Sequence, residues 1–148
     1  MNNYEDLQVQ EIEILLRKVC FYIKKKGRVI LDDYDITPAQ FEALQIIINH
    51  AEVTISELSS KLYQAPSTIT DLIDRMEAKE LVQRVRDCKD RRIVRITALE
   101  KGHKILEEVL AERCKFVDYA LNGVSMEDKE NFKKYLEIVA AGYNNYNH

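Results

Sequence analysis

Six basic residues, Arg84, Arg86, Lys89, Arg91, Arg92 and Arg95, crowd a short stretch that carries only two acidic ones, Asp87 and Asp90. The stretch is +4 on its own, which leaves −7 for the rest of a chain whose net charge is −3. Cationic groups gathered so closely repel one another unless an anion neutralises them, and a local asymmetry of this kind marks an electrostatic footprint better than net charge does. The chemistry on offer is phosphate capture. A little upstream stands a second set, Ser67, Thr70, Asp71, Asp74 and Arg75. Hydroxyls beside a guanidinium suit the edges of bases and the oxygens of phosphates.

These groups act together only if the chain positions them. Leu81 to Arg86 and Arg92 to Thr97 are alternating, β-branched segments around the polar tip Asp87-Cys88-Lys89-Asp90-Arg91, the pattern of a two-stranded hairpin. A lone hairpin on a helical domain is marginal, so this much charge at its tip points to an anionic partner, and arginines so presented fit a minor groove. Before the hairpin, Pro66 suits the first position of a helix in which Ile69, Leu72, Ile73 and Met76 face inward. At 100° per residue Ser67, Asp71 and Asp74 face away, flanked by Thr70 and Arg75. Thr54-Ile55-Ser56-Glu57 is a capping box opening a shorter helix that ends near Tyr63, with Ile55, Leu58 and Leu62 inward. Two helices joined so tightly form a helix-turn-helix.

The remaining elements read as helices as well. Ile12, Leu15, Leu16, Val19 and Ile23 recur at helical spacing from about Leu7 to Leu31, and Gly27 predicts a bend or break near Lys26. The run Lys24, Lys25, Lys26 and Arg28 reads as a solvated face. Thr37-Pro38-Ala39-Gln40 is another capping box, with Ile36 stapling to Phe41, and its helix runs to about Asn49. From Glu100 to about Leu121, Ile105, Leu106, Val109, Leu110, Phe116, Val117 and Ala120 give a long amphipathic helix that Asn122-Gly123 closes through a left-handed cap. Ser125 to Asp128 then start a last helix with Phe132, Tyr135, Leu136, Val139 and Tyr143 along one side. Terminal helices with apolar stripes and little chain to cover them predict pairing with a second copy.

Composition narrows the classes. The chain has 148 residues, few glycines (4) and prolines (2), 46% hydrophobic and 32% charged residues, which fits one helix-rich domain with a real core. Charges throughout the first thirty residues argue against a secretory signal, and no apolar run reaches the roughly 20 residues of a membrane span, so a cytoplasmic protein is expected. Cys20, Cys88 and Cys114 fit neither a disulfide framework nor a CxxC metal site; reduced thiols are expected, with Cys20 a buried structural one. The three histidines are scattered and no nucleophile motif or phosphate loop is present, which argues against an enzyme or a resident cofactor. His103 and Glu107 share a helix face and form the sole suggestion of a metal-responsive variant; no metal site is assigned to them.

The residues resemble the multiple-antibiotic-resistance regulator (MarR) family of winged-helix transcription factors. The likeness rests on Ile36-Thr37-Pro38-Ala39-Gln40-Phe41, on Glu57-Leu58 and Leu62, on Pro66-Ser67-Thr68-Ile69-Thr70 with Asp74-Arg75, and on Leu81-Val82-Gln83-Arg84. Its most specific part is Asp87-Cys88-Lys89-Asp90-Arg91-Arg92 followed by Glu100-Lys101-Gly102. The resemblance implies a mainly α fold with a small β-hairpin wing, a winged helix-turn-helix over residues 35–99. It further implies dimerisation helices at 1–34 and 122–148, with a connecting helix at 100–121. In that pattern Ser67, Thr68, Thr70, Asp71 and Arg75 are recognition-helix contacts, Arg86, Lys89, Arg91 and Arg92 are wing contacts, and Asp90 orients a neighbouring arginine.

The function so implied is a homodimeric regulator, a repressor, that reads double-stranded DNA at an inverted repeat and is released by a small aromatic or phenolic effector or by oxidation. The competing readings are a metal-responsive regulator of the same fold and a winged-helix protein-interaction module. Tyr22, Tyr34, Phe41 and Tyr63 are candidates for lining an effector cleft, although aromatics at helical spacing commonly belong to a core. Three positions depart from the family pattern. Glu80 replaces the glycine that closes the recognition helix, so a differently shaped helix end is expected. Cys88 stands where proline is common, and reads as a tolerated loop residue before it reads as an exposed, oxidisable thiol. Leu99 replaces a capping threonine, so Thr97 with Glu100 is expected to cap the next helix and shorten the second strand.

Overall fold

The computed structural model describes residues 3–146, and side chains from residue 7 onward. Six helices and three short strands follow in the order α1 (Asn3–Asp33), α2 (Pro38–Asn49), β1 (Val53–Thr54), α3 (Ile55–Leu62), α4 (Pro66–Ala78), β2 (Val82–Arg86), β3 (Val94–Ala98), α5 (Glu100–Ala120) and α6 (Met126–Tyr146). The chain divides into two compact units between Arg113 and Cys114.

The core of the first unit is built by the inward faces the spacing dictates. Leu44, Ile47, Leu58, Ile69, Ile73 and Met76 from α2, α3 and α4 are fully buried, together with Leu81 just before β2, Val53, Val82 and Ile96 from the strands and Val109 from α5. Each such side chain contributes roughly 1.5–3 kcal/mol on leaving water. Leu72, Ile55 and Leu62 pack against this cluster from its edge.

Local chemistry sets the helix starts. Thr37 accepts from the Gln40 backbone N–H through its hydroxyl, and Gln40 returns the bond by accepting from the Thr37 N–H. Thr54 and Glu57 do the same at α3. Each box satisfies amide donors that a bare helix end would leave open, worth about 1 kcal/mol. Bonding to the Thr54 N–H holds the Glu57 carboxyl below the usual glutamate range; partial desolvation opposes this, and the nearby Arg95 and Lys61 charges reinforce it.

Several expectations are corrected. Helix α1 runs unbroken through Gly27. Gly27 is buried, and a Cβ there would lie 3.5 Å from the Arg113 guanidinium. Its small size therefore serves close approach, and the helical hydrogen bonds continue past it. The end of α4 is not differently shaped, contrary to expectation, and keeps the glycine-type closure without glycine. Glu80 takes up φ +60°, its N–H bonds the Glu77 carbonyl, and the Leu81 N–H bonds the Met76 carbonyl. That pair of bonds is a Schellman motif, and it holds a non-glycine residue left-handed at a cost of about 1–2 kcal/mol. Thr97 does not cap α5, because it lies within β3 opposite Gln83 and the strand reaches Ala98. The first carbonyl of α5 is that of Leu99, which accepts from the His103 N–H.

The sheet has three strands in the order β1-β3-β2, all antiparallel, with Val53 opposite Ile96 and Arg84 opposite Ile96 on the other side. The third strand is one the alternation did not reveal: β1 is two residues long, too short for a periodic signal, and Thr54 serves both as its last residue and as the cap of α3. In the second unit α6 buries none of its residues. Its start is capped as expected, the Ser125 hydroxyl accepting from the Asp128 N–H at 3.0 Å, and Gly123 before it is left-handed at φ +85°.

Candidate nucleic-acid interface

The turn between α3 and α4 is tied by one residue that the sequence pattern did not single out. The Ser59 carbonyl accepts from the N–H groups of Tyr63 and Gln64, and its hydroxyl donates to the Gln64 carbonyl at 2.6 Å. Tyr63 is left-handed at φ +52° and 95% exposed. By contrast Phe41 is buried and Tyr22 half-exposed. Tyr34 packs against the core cluster from its edge.

Helix α4 presents Ser67, Thr68, Thr70, Asp71 and Arg75 to solvent while burying Ile69, Ile73 and Met76. Thr68, Asp71 and Arg75 line one groove with Gln64 and with Gln40 of α2. Thr70 differs from the others, because its hydroxyl donates to the Pro66 carbonyl one turn back. Its oxygen is left as an acceptor only, which restricts what it can recognise. At the N-terminal end of α4, Ala65 supplies no side-chain cap, so the positive end of the helix dipole is unscreened by protein.

The wing is held by its acidic residues. Asp87 Oδ1 accepts from the backbone N–H of Lys89 at 2.7 Å and, more weakly, from that of Asp90, while Oδ2 accepts from Arg95 Nε at 3.3 Å. Asp90 accepts from both the backbone N–H and Nε of Arg92. The tip is closed by the Asp87 N–H bonding the Ile93 carbonyl and the Ile93 N–H bonding the Asp90 carbonyl. Arg95 reaches on to Glu52, 3.6 Å away, beside β1.

Arg86, Lys89, Arg91 and Arg92 stand exposed around this turn. Of them Arg92 alone has an ion-pair partner among the described residues, Asp90. Asp87 was legible only as a negative charge, yet it organises the turn; an Asp followed two residues later by an amide it can accept from was the available signal. Arg84 is unlike the other basic residues, being turned back onto α4 between Asp74 and Glu77.

Cys88 and Cys114 are exposed, and so is Cys20, contrary to its expected burial. Cys20 lies on a stretch of α1 whose side chains are mostly exposed; among the described residues of that helix only Gly27, Ile30 and Leu31 are buried. Among the described residues no three His, Cys, Asp or Glu side chains gather to hold a metal, so His103 and Glu107 lack a third ligand. No helix of the described residues is long and apolar enough to cross a membrane.

Comparison with known proteins agrees with this geometry. Residues 36–94 match the model of the MarR family. The chain is 46% identical to the uncharacterized HTH-type transcriptional regulator YsmB of Bacillus subtilis over 86% of its own length and 88% of that protein. It is 30% identical to the HTH-type transcriptional repressor MdtR of the same organism, over 73% and 70% of the two chains. Its fold superposes on a MarR family protein from Bacillus stearothermophilus with a TM-score of 0.87 at 42% identity, covering 97% of this chain and 99% of that one. These relatives are regulators of transcription, not enzymes, and the helix-turn-helix, the basic wing and the likeness together establish that this chain belongs to the MarR family of helix-turn-helix transcriptional regulators.

Proposed function

We propose that the chain works as a homodimeric, sequence-specific repressor in the cytoplasm, binding an inverted-repeat operator in double-stranded DNA. Helix α4 enters the major groove through Ser67, Thr68, Thr70, Asp71 and Arg75, and the wing reaches the adjacent minor groove through Arg86, Lys89, Arg91 and Arg92, with Asp90 orienting Arg92. The observation that carries this reading is the wing tip. Its backbone is fixed by Asp87 and Asp90, while Arg86, Lys89 and Arg91 make no ion pair among the described residues. Cations held on a rigid turn and left unneutralised fit a phosphate-lined groove.

The dimer is supported by the exposed apolar side chains of α1 (Ile12, Leu15, Val19, Ile23) and of α6 (Phe132, Leu136, Val139), which a second copy would cover. Two-fold symmetry puts the half-sites about one helical turn apart, roughly 34 Å. Release by a small aromatic or phenolic ligand, or by oxidation of a cysteine, completes the regulatory cycle.

The experiment is a salt series of DNA binding with Arg91→Ala and Arg92→Ala. Each substitution is expected to weaken binding and reduce the slope of log affinity against log salt by about 1 per wing. Unchanged binding in both variants sinks the wing assignment.

A further inference from the structure

We propose that Arg84 is a positioning residue that locks the wing to the recognition helix, and that it is not itself a DNA contact. This rests on the DNA-reading function above. Arg84 carries the same charge as the wing arginines and counts with them in the basic stretch, though not among the wing contacts. Its geometry is different. One guanidinium nitrogen meets Asp74 Oδ1 at 2.6 Å and the other meets Glu77 Oε2 at 2.5 Å, so a planar fork spans two carboxylates one turn apart on α4. The backbone N–H of Arg84 also donates to Glu77 Oε1 at 3.2 Å.

That last bond identifies what the contact does. With strand order β1-β3-β2, β2 is an edge strand, and an edge strand leaves alternate N–H groups without a ladder partner. Glu77 takes up one of these donors, so α4 and the outer edge of the wing are joined through backbone as well as side chain. Beyond this the two elements are joined at the Schellman turn through Glu80 and Leu81. A hinge at the turn and a clamp one strand residue beyond Gln83 fix an angle. The side chain of Arg84 is only 27% exposed. Its desolvation works against its charge, but the bonds to Asp74 and Glu77 outweigh this, and the guanidinium is held above its ordinary pKa.

The clamp has a second effect on recognition. Asp74 shares the outward side of α4 with Asp71, where bare carboxylates would repel phosphates. Pairing with Arg84 offsets one of the two negative charges of Asp74 and Glu77 and turns both carboxylates onto the guanidinium, while Asp71 makes no ion pair among the described residues. Lysine in place of Arg84 would keep the charge and lose the fork, because an ammonium is a point donor that cannot span both carboxylates in one plane.

The test uses the whole chain and two duplexes of about 30 bp, roughly three helical turns. One is the duplex most enriched by the wild-type protein from a random library; the other is its scrambled counterpart. Affinities for both are measured over a salt series for wild type, Arg84→Lys, Asp74→Asn and Glu77→Gln, with circular dichroism confirming the folded state. The expected result is that Arg84→Lys and Glu77→Gln lower the ratio of specific to scrambled affinity about tenfold, with the salt slope unchanged. Glu77→Gln keeps Arg84 and its Asp74 contact, so it reports even if an Arg84 variant does not fold. A preserved ratio in both variants overturns the clamp and leaves the DNA reading intact. So does tighter binding in Asp74→Asn, which would mean that the freed guanidinium contacts phosphate. Failure of the wild type to enrich any duplex overturns the DNA reading itself, and the clamp with it.

Discussion

Arg95 donates from Nε to the carboxylate of Asp87 across 3.3 Å, which ties the middle of β3 to the turn at the wing tip. The same carboxylate is held below the usual aspartate value of about 3.9. The Lys89 N–H contributes most, partial burial opposes it, and Arg95 and the Asp90 N–H add to it. A carboxyl depressed in the folded state stabilises the turn at any pH above its unfolded value and loses that contribution as pH falls through the folded value. The wing should therefore be insensitive to pH between about 5 and 8 and loosen only below about 4. Amide signals of Lys89 and Asp90 followed by NMR in an acid titration should move together with the Asp87 carboxyl. Movement near pH 6 would refute the assignment.

Gly102 lies against the carbonyl of Leu81, and a methyl group there would sit on that oxygen and press on Leu44. The carbonyl is already engaged by the Leu99 N–H at 2.9 Å, so it has little freedom to move. Gly102→Ala gains about 1 kcal/mol of helix propensity and incurs overpacking of roughly 1–3 kcal/mol. The expected net effect is a lower urea midpoint with an unchanged m-value. A raised midpoint would mean that α5 shifts away freely.

Glu80 at φ +60° carries strain that glycine would not. Glu80→Gly should relieve about 1–2 kcal/mol and lose part of that to the greater freedom of the unfolded chain. A rise in thermal midpoint of a few degrees is expected, with DNA affinity unchanged because the Schellman bonds persist. A fall in midpoint would show that the Glu80 side chain contributes a contact of its own.

Leu15 and Leu136 are exposed on α1 and α6. If a second copy covers them, Leu15→Glu or Leu136→Glu buries a charge in the dimer and should shift sedimentation from dimer to monomer. Affinity for a duplex with two half-sites should fall with it, while a single half-site is bound as weakly as before. A wild-type chain that sediments as a monomer at micromolar concentration would remove the dimer.

The sequence made the first unit readable where a side chain acts on its own backbone or at helical spacing. Both capping boxes, Pro66 at the start of α4 and the inward row Ile69, Ile73 and Met76 are local, and each lies where its spacing requires. Contacts between distant elements were not readable. Arg84 was legible only as one more positive charge of the basic stretch, because its partners, Asp74 and Glu77, lie across a turn whose geometry only the fold supplies. Gly27 read as a helix breaker because propensity acts within the helix, whereas its neighbour Arg113 is far along the chain. Thr97 was misassigned for a related reason: a threonine followed three residues later by glutamate reads as a cap, but pairing with Gln83 keeps it in the strand.

Helix α1 has 31 residues, about 46 Å of rod at 1.5 Å per residue, yet among its described side chains only Gly27, Ile30 and Leu31 near its end are buried. Most of its length is paired to itself by backbone hydrogen bonds and to little else, a condition in which helices are marginal in water. If a second copy covers that stretch, the helical content of the protein becomes a function of its own abundance. Diluting the protein should unwind the front of α1 before anything in the winged helix changes, and amide exchange there should slow as concentration rises.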